Sequence, residues 1–224
     1  LALAGLALAR VGRSPLALPL SLLSIALSAW NFTGYPFARA GEPGWRLVGF
    51  AAALMTVPCT LHFTLAFVGR RRRSAWAMYG TYAVFGALAL LMHVALGVPS
   101  LAEKIRTLRF GLFVTALVVP PVIGTFTLLA LLLRDARRPD ERARASLMAL
   151  GLTFLVALLL TELAVELGVR HVPRLGNLGT LLCLPLMATA SLRFGLFGRD
   201  ESEGAPRMAL HAVVLAGVGV LAYL

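Results

Sequence analysis

The sequence predicts an all-α polytopic membrane protein: a bundle of seven to eight transmembrane helices, the first and last truncated. Three observations predict it. Hydrophobic residues make up 59% of the chain and charged residues only 14%, where a soluble domain carries about a quarter charged. The apolar residues gather into stretches near the roughly 20 residues that a helix needs to cross the hydrocarbon core. The basic charge between those stretches is almost all arginine, since Lys104 is the only lysine.

The apolar stretches run in order over residues 15–33, 46–69, 75–97, 110–133, 146–168, 176–197 and 208–224. A backbone in lipid must satisfy its own hydrogen bonds, so each stretch reads as a helix. Weak alternation and many leucines and alanines argue against a barrel. Residues 1–9 are too short to span and lack a basic region before them, so they are the end of a helix rather than a signal peptide. The chain opens without Met inside an apolar run and stops inside another. The expectation is therefore a fragment of a longer protein. The connections are short, with no room for a water-soluble domain. Cys59 and Cys183 fall in apolar runs, where free cysteine packs as a small hydrophobe.

Alternate connections differ in charge. One set holds fourteen basic residues: Arg10, Arg13, Arg70 to Arg73, Arg134, Arg137, Arg138, Arg142, Arg144, Arg193, Arg199 and Arg207. The other holds seven: Arg39, Arg46, Lys104, Arg106, Arg109, Arg170 and Arg174. The richer set is cytoplasmic by the positive-inside rule, with Arg70, Arg71, Arg72 and Arg73 as its topology anchors. Trp30, Tyr35, Phe37 and Trp45 then form an outer aromatic belt, and Trp76, Tyr79 and Tyr82 an inner one. Although the net charge is +11, the arginines sit in short gaps between apolar runs. They meet lipid phosphates there, not nucleic acid.

Within 46–69 the stretch PCTLHFTLAFVGRRRR puts a histidine inside an apolar run that ends at four arginines. His62 falls roughly 6 Å below the bilayer midplane at 1.5 Å per residue. Met55, Pro58, Cys59, His62 and Ala66 share one helix face, and Thr56, Thr60 and Thr64 the opposite one. Polar groups on both sides imply a helix packed by protein around much of its girth. Two readings stay open. An intramembrane histidine is a candidate ligand contact, proton relay or pH sensor. Alternatively, it is a neutral histidine hydrogen-bonded across a helix interface, with the threonines bonded to their own backbone carbonyls. No second histidine or carboxylate shares its depth, so no metal site is expected.

A second polar group lies near the outer surface. Glu162 and Glu166 are spaced i, i+4 on one helix face, and His93 falls at a depth similar to Glu162. His93 and Glu162 are candidates to line an outward-facing pocket that binds a small ligand or responds to pH; the alternative is that both reach water at the interface. Pro58, Pro120, Pro121 and Pro185 lie inside spans and are either kinks held by neighbouring helices or candidate hinges.

No Gly-rich phosphate loop with lysine, no HExxH and no GxSxG occurs. Nothing in the sequence points to catalysis, and no cofactor is expected.

The order of features resembles the N-terminal seven-transmembrane sensor region of bacterial histidine kinases and related signalling proteins. The residues that carry it are Trp30, Trp45-Arg46, Leu61-His62-Phe63 and the exit Phe67-Val68-Gly69-Arg70-Arg71. Asp140-Glu141-Arg142, Val172-Pro173-Arg174-Leu175-Gly176 and Ser191-Leu192-Arg193-Phe194-Gly195-Leu196-Phe197 also fit. The likeness covers roughly residues 1–200 and its motifs are short. A kinase core, with its phospho-acceptor histidine box and ATP-binding glycines, is absent from the sequence.

The resemblance implies a non-catalytic input region in the bacterial inner membrane, in which a small or lipid-borne ligand shifts helix packing and a cytoplasmic output module receives the shift. It implies residues 1–200 as the sensor region and 201–224 as a linker and the start of a further helix, with a homodimer by analogy. The competing classes are a transporter or channel subunit and a structural membrane anchor.

Overall fold

The computed structural model describes residues 2–8, 14–40, 43–70, 72–98, 100–101, 110–166, 171 and 175–193. Among them the regular structure is entirely helical: α1 (Ala2–Leu8), α2 (Ala17–Ala40), α3 (Pro43–Phe67), α4 (Ala75–Gly97), α5 (Phe110–Asp135), α6 (Pro139–Glu166) and α7 (Gly176–Arg193). Each of helices α2 to α7 overlaps one of the six apolar stretches between residues 15 and 197. The seventh stretch, 208–224, and the expected boundary at residue 200 lie outside the described residues.

Four helices are long and apolar enough to cross a membrane, over Val48–Phe67, Ala75–Ala95, Ala116–Asp135 and Pro139–Thr161. The sequence reading expected seven to eight. Helices α2 and α7 carry only shorter apolar stretches, Ala17–Thr33 and Leu178–Met187. The later part of α2 includes Asn31 and Arg39, and α7 opens on Gly176-Asn177 and closes on Arg193.

Two helices outrun their apolar stretches. Helix α6 begins at Pro139, seven residues before the stretch that opens at 146. Pro139 takes the first helical position, where its missing N–H costs nothing, and Asp140 and Glu141 lie in the first turn, where carboxylates meet the positive end of the helix dipole. Helix α2 likewise continues to Ala40.

The chain divides into two compact units, Leu1–Leu8 with Leu18–Leu128, and Ala9–Ala17 with Leu129–Leu224. In the first unit the Ser21 hydroxyl of α2 donates to the Ala4 carbonyl of α1 at 3.4 Å. Helix α2 meets α3 where Gly49 faces Thr33: a Cβ on Gly49 would lie 2.6 Å from the Thr33 hydroxyl oxygen. Only glycine permits that approach. Helices α3 and α4 form an antiparallel hairpin. Leu61 and Leu65 pack on Met78 near its turn, and Leu54 packs with Phe85, Leu88 and Met92 farther along. Leu117 and Val118 of α5 pack against the second cluster, and Leu128 against the first.

The turn of this hairpin is set by Gly69, whose φ of +73° suits glycine. The Arg70 N–H bonds the Leu65 carbonyl at 2.9 Å and the Gly69 N–H the Ala66 carbonyl at 3.2 Å. That pair of bonds is a Schellman motif, and it satisfies carbonyls that the end of α3 would otherwise leave open.

In the second unit α6 and α7 pack antiparallel through an exchange of glycines. A Cβ on Gly151 of α6 would stand 3.3 Å from Leu186 Cβ, and one on Gly179 of α7 would stand 3.0 Å from Leu158 Cβ. Small residues let helices approach closely where lipid offers no hydrophobic drive to associate. The Thr161 hydroxyl pins the far end: it donates to the Leu158 carbonyl at 2.6 Å and accepts the Leu175 N–H at 3.0 Å. It thereby caps the start of α7 from α6.

Candidate functional site

Burial separates α3 from the other three membrane-length helices. Within Val48–Phe67, 61% is buried by protein, against 22%, 11% and 28% for the spans of α4, α5 and α6. Both faces named in the sequence reading are enclosed: Cys59 and His62 on one, Thr56 and Thr64 on the other. Of the four membrane-length helices, the one that carries His62 is thus the most surrounded by protein.

His62 is 4% exposed and Cys59 3%. They lie one turn apart on the face of α3 toward α4, and both converge on one oxygen. The Tyr82 phenol of α4 stands 3.2 Å from His62 Nδ1 and donates to Cys59 Sγ at 3.6 Å. The imidazole and phenol rings meet edge to face at 5.8 Å, an arrangement that aligns the ring edge with a π-face. If the phenol proton goes to Cys59, His62 Nδ1–H donates to the phenol oxygen. If the thiol donates instead, the phenol donates to a bare Nδ1. The three side chains therefore form a hydrogen-bond chain with two polarities, which differ in the tautomer of His62.

The sequence reading missed Tyr82. It grouped Tyr82 with Trp76 and Tyr79 as an interfacial aromatic, but those two are 80% and 64% exposed while Tyr82 is half-buried and hydrogen-bonded within the helix pair. The signal was its position six residues past Trp76, nearly two turns into the span. Only one of the expected threonine bonds forms as drawn: Thr56 Oγ1 donates to the Ala53 carbonyl at 2.6 Å, whereas the buried Thr64 hydroxyl has no hydrogen-bond partner.

His93 is exposed on α4, on a surface shared with Leu90 and Val94. Glu162 and Glu166 fall within α6, but their side chains lie outside the described residues, as does Arg170. Pro58 is buried inside α3, which continues through it; Pro120 and Pro121 lie inside α5 and Pro185 inside α7. Arg70, Arg72 and Arg73 are exposed at the turn after α3, and Arg71 lies outside the described residues.

Among the described residues no group of three or more His, Cys, Asp and Glu side chains is placed to hold a metal ion. Both cysteines are free and buried. Cys183 donates to the Met187 sulfur at 3.2 Å within α7.

No family model, curated protein or solved structure matches this chain.

Proposed function

We propose that the chain is a non-catalytic input region of a bacterial signal-transduction protein, lying in the inner membrane with seven to eight crossings. The arginine-rich connections face the cytoplasm, and a change in helix packing passes to a cytoplasmic module. The observation that carries this reading is the His62–Tyr82–Cys59 hydrogen-bond chain between α4 and α3, the most enclosed of the four membrane-length helices. A buried polar contact between two spans has discrete arrangements, and a stimulus that favours one arrangement over the other by a few kcal/mol shifts the population. The distribution of basic residues, fourteen against seven in alternate connections, supports the orientation. By analogy with the signalling proteins that the sequence resembles, the working unit is a homodimer.

The test is the polypeptide that the same reading frame encodes after residue 224. A dimerisation helix bearing a phospho-acceptor histidine, or a cyclase or phosphatase module, supports the input-region reading. An early stop codon, or further segments of a transporter, contradicts it.

A further inference from the structure

We propose that Cys59 and His62, with Met55 beside them, form a binding site for a soft monovalent metal ion, copper(I) in chemistry, between α3 and α4.

The donor set points there. Met55, Cys59 and His62 occupy positions i, i+4 and i+7 of α3, so thioether, thiol and imidazole share one face. Met55 packs with the Leu54 cluster, which includes Phe85, Leu88 and Met92 of α4. Cys59 Sγ and His62 Nδ1 already converge on a single atom, the Tyr82 phenol oxygen, at 3.6 and 3.2 Å. Both donor atoms thus lie against the same phenol oxygen, on the side of α3 that meets α4. An ion that takes the place of the shared proton contact needs no separate cavity between the helices.

Charge selects the ion. The thiol must lose its proton to become a ligand. Exchanging one proton for one monovalent cation leaves the buried charge unchanged, while a divalent ion would add a net positive charge, which is costly in a low-dielectric interior. Sulfur and imidazole donors suit soft ions such as Cu(I). Zinc is disfavoured on coordination number as well, because its sites are almost always four-coordinate and the described residues hold no group of three His, Cys, Asp or Glu ligands. The sequence reading expected no metal site because it sought a second histidine or carboxylate at this depth; a soft, low-coordinate ion needs neither. The site stands on ion binding alone and does not depend on the input-region reading.

The experiment uses the full chain in phosphatidylcholine nanodiscs under anaerobic reducing conditions. Silver(I), a non-redox analogue, is titrated against a competing chelator, and retained metal is quantified. Cys183 with Met187 is the other sulfur pair, so Cys183→Ser is the reference background. The expected result is that Cys183→Ser retains a single Ag(I), and that adding Cys59→Ser or His62→Gln weakens binding by about 10-fold or more. Tyr82→Phe in the same background binds as tightly as the reference or tighter, since the phenol competes for both donor atoms. X-ray absorption of Cu(I) bound to Cys183→Ser shows nitrogen together with sulfur, a readout independent of whether the Cys59 and His62 variants fold. Loss of binding in Cys183→Ser alone, undiminished binding in Cys59→Ser or His62→Gln, loss in Tyr82→Phe equal to that in His62→Gln, or a copper shell without nitrogen overturns the proposal.

Discussion

The Tyr82 phenol of α4 lies 3.2 Å from Nδ1 of His62 on α3, so two neighbouring apolar helices are joined by a hydrogen bond between a buried imidazole and a half-buried phenol. Polar contacts between membrane helices contribute less than their burial suggests, because the unfolded chain in lipid also finds partners. A double-mutant cycle of Tyr82→Phe and His62→Ala is expected to give a coupling energy of about 1 kcal/mol, read from reversible unfolding in detergent. A coupling indistinguishable from zero would mean that the contact does not hold α3 to α4.

Gly179 permits the closest approach of α7 to α6. A Cβ there would meet Leu158 Cβ at 3.0 Å, the Phe154 carbonyl oxygen at 3.3 Å and Leu155 Cα at 3.4 Å, and backbone atoms cannot swing aside. Gly179→Val is expected to destabilise by roughly 1–3 kcal/mol, the usual cost of overpacking. Gly80→Ala, where nothing lies within 4 Å of the added Cβ, serves as the control and does not destabilise, since alanine favours a helix interior over glycine.

Gly69 carries a different constraint. Its added Cβ would touch nothing within 4 Å, so the cost of Gly69→Ala comes from the φ of +73° alone. The expected loss is about 1 kcal/mol, and Gly69→Asn, which tolerates the left-handed region better, loses less. Equal losses in both variants would show that the turn depends on something other than backbone conformation.

Thr161 holds the α6–α7 connection by bonding the Leu158 carbonyl and the Leu175 N–H. Thr161→Val keeps the shape and removes the hydroxyl. The expected cost is about 1 kcal/mol, that of losing a helix cap, together with faster amide exchange at Leu175. Unchanged exchange there would contradict the capping role.

Much of this was legible before any coordinates, and the reason is the length of the apolar runs. A hydrocarbon environment demands long apolar runs, so the starts of α4 at 75, α5 at 110 and α7 at 176 could be read from where those runs begin. The start of α6 could not. Residues 139–145 are charged, and apolarity marks where lipid ends rather than where the helix ends; at 28 residues and 1.5 Å each, α6 is about 42 Å long, more than the hydrocarbon core. At the site, His62 stood out because an ionisable group in an apolar run is rare. Its partner did not, because identifying Tyr82 requires the register of α3 against α4, which rests on the turn at Gly69 and on the packing of Leu61 and Leu65 against Met78. A tyrosine six residues from Trp76 looks interfacial until that register is known.

The most direct test of the orientation is the accessibility of the exposed turn after α3. In a Cys59→Ser, Cys183→Ser background of the full chain, Arg72→Cys places a single thiol at that corner. In intact bacterial cells a membrane-impermeant maleimide is expected to leave it unlabelled and to label it once the inner membrane is permeabilised. Labelling in intact cells would place the arginine corner outside and contradict the assigned direction of every crossing.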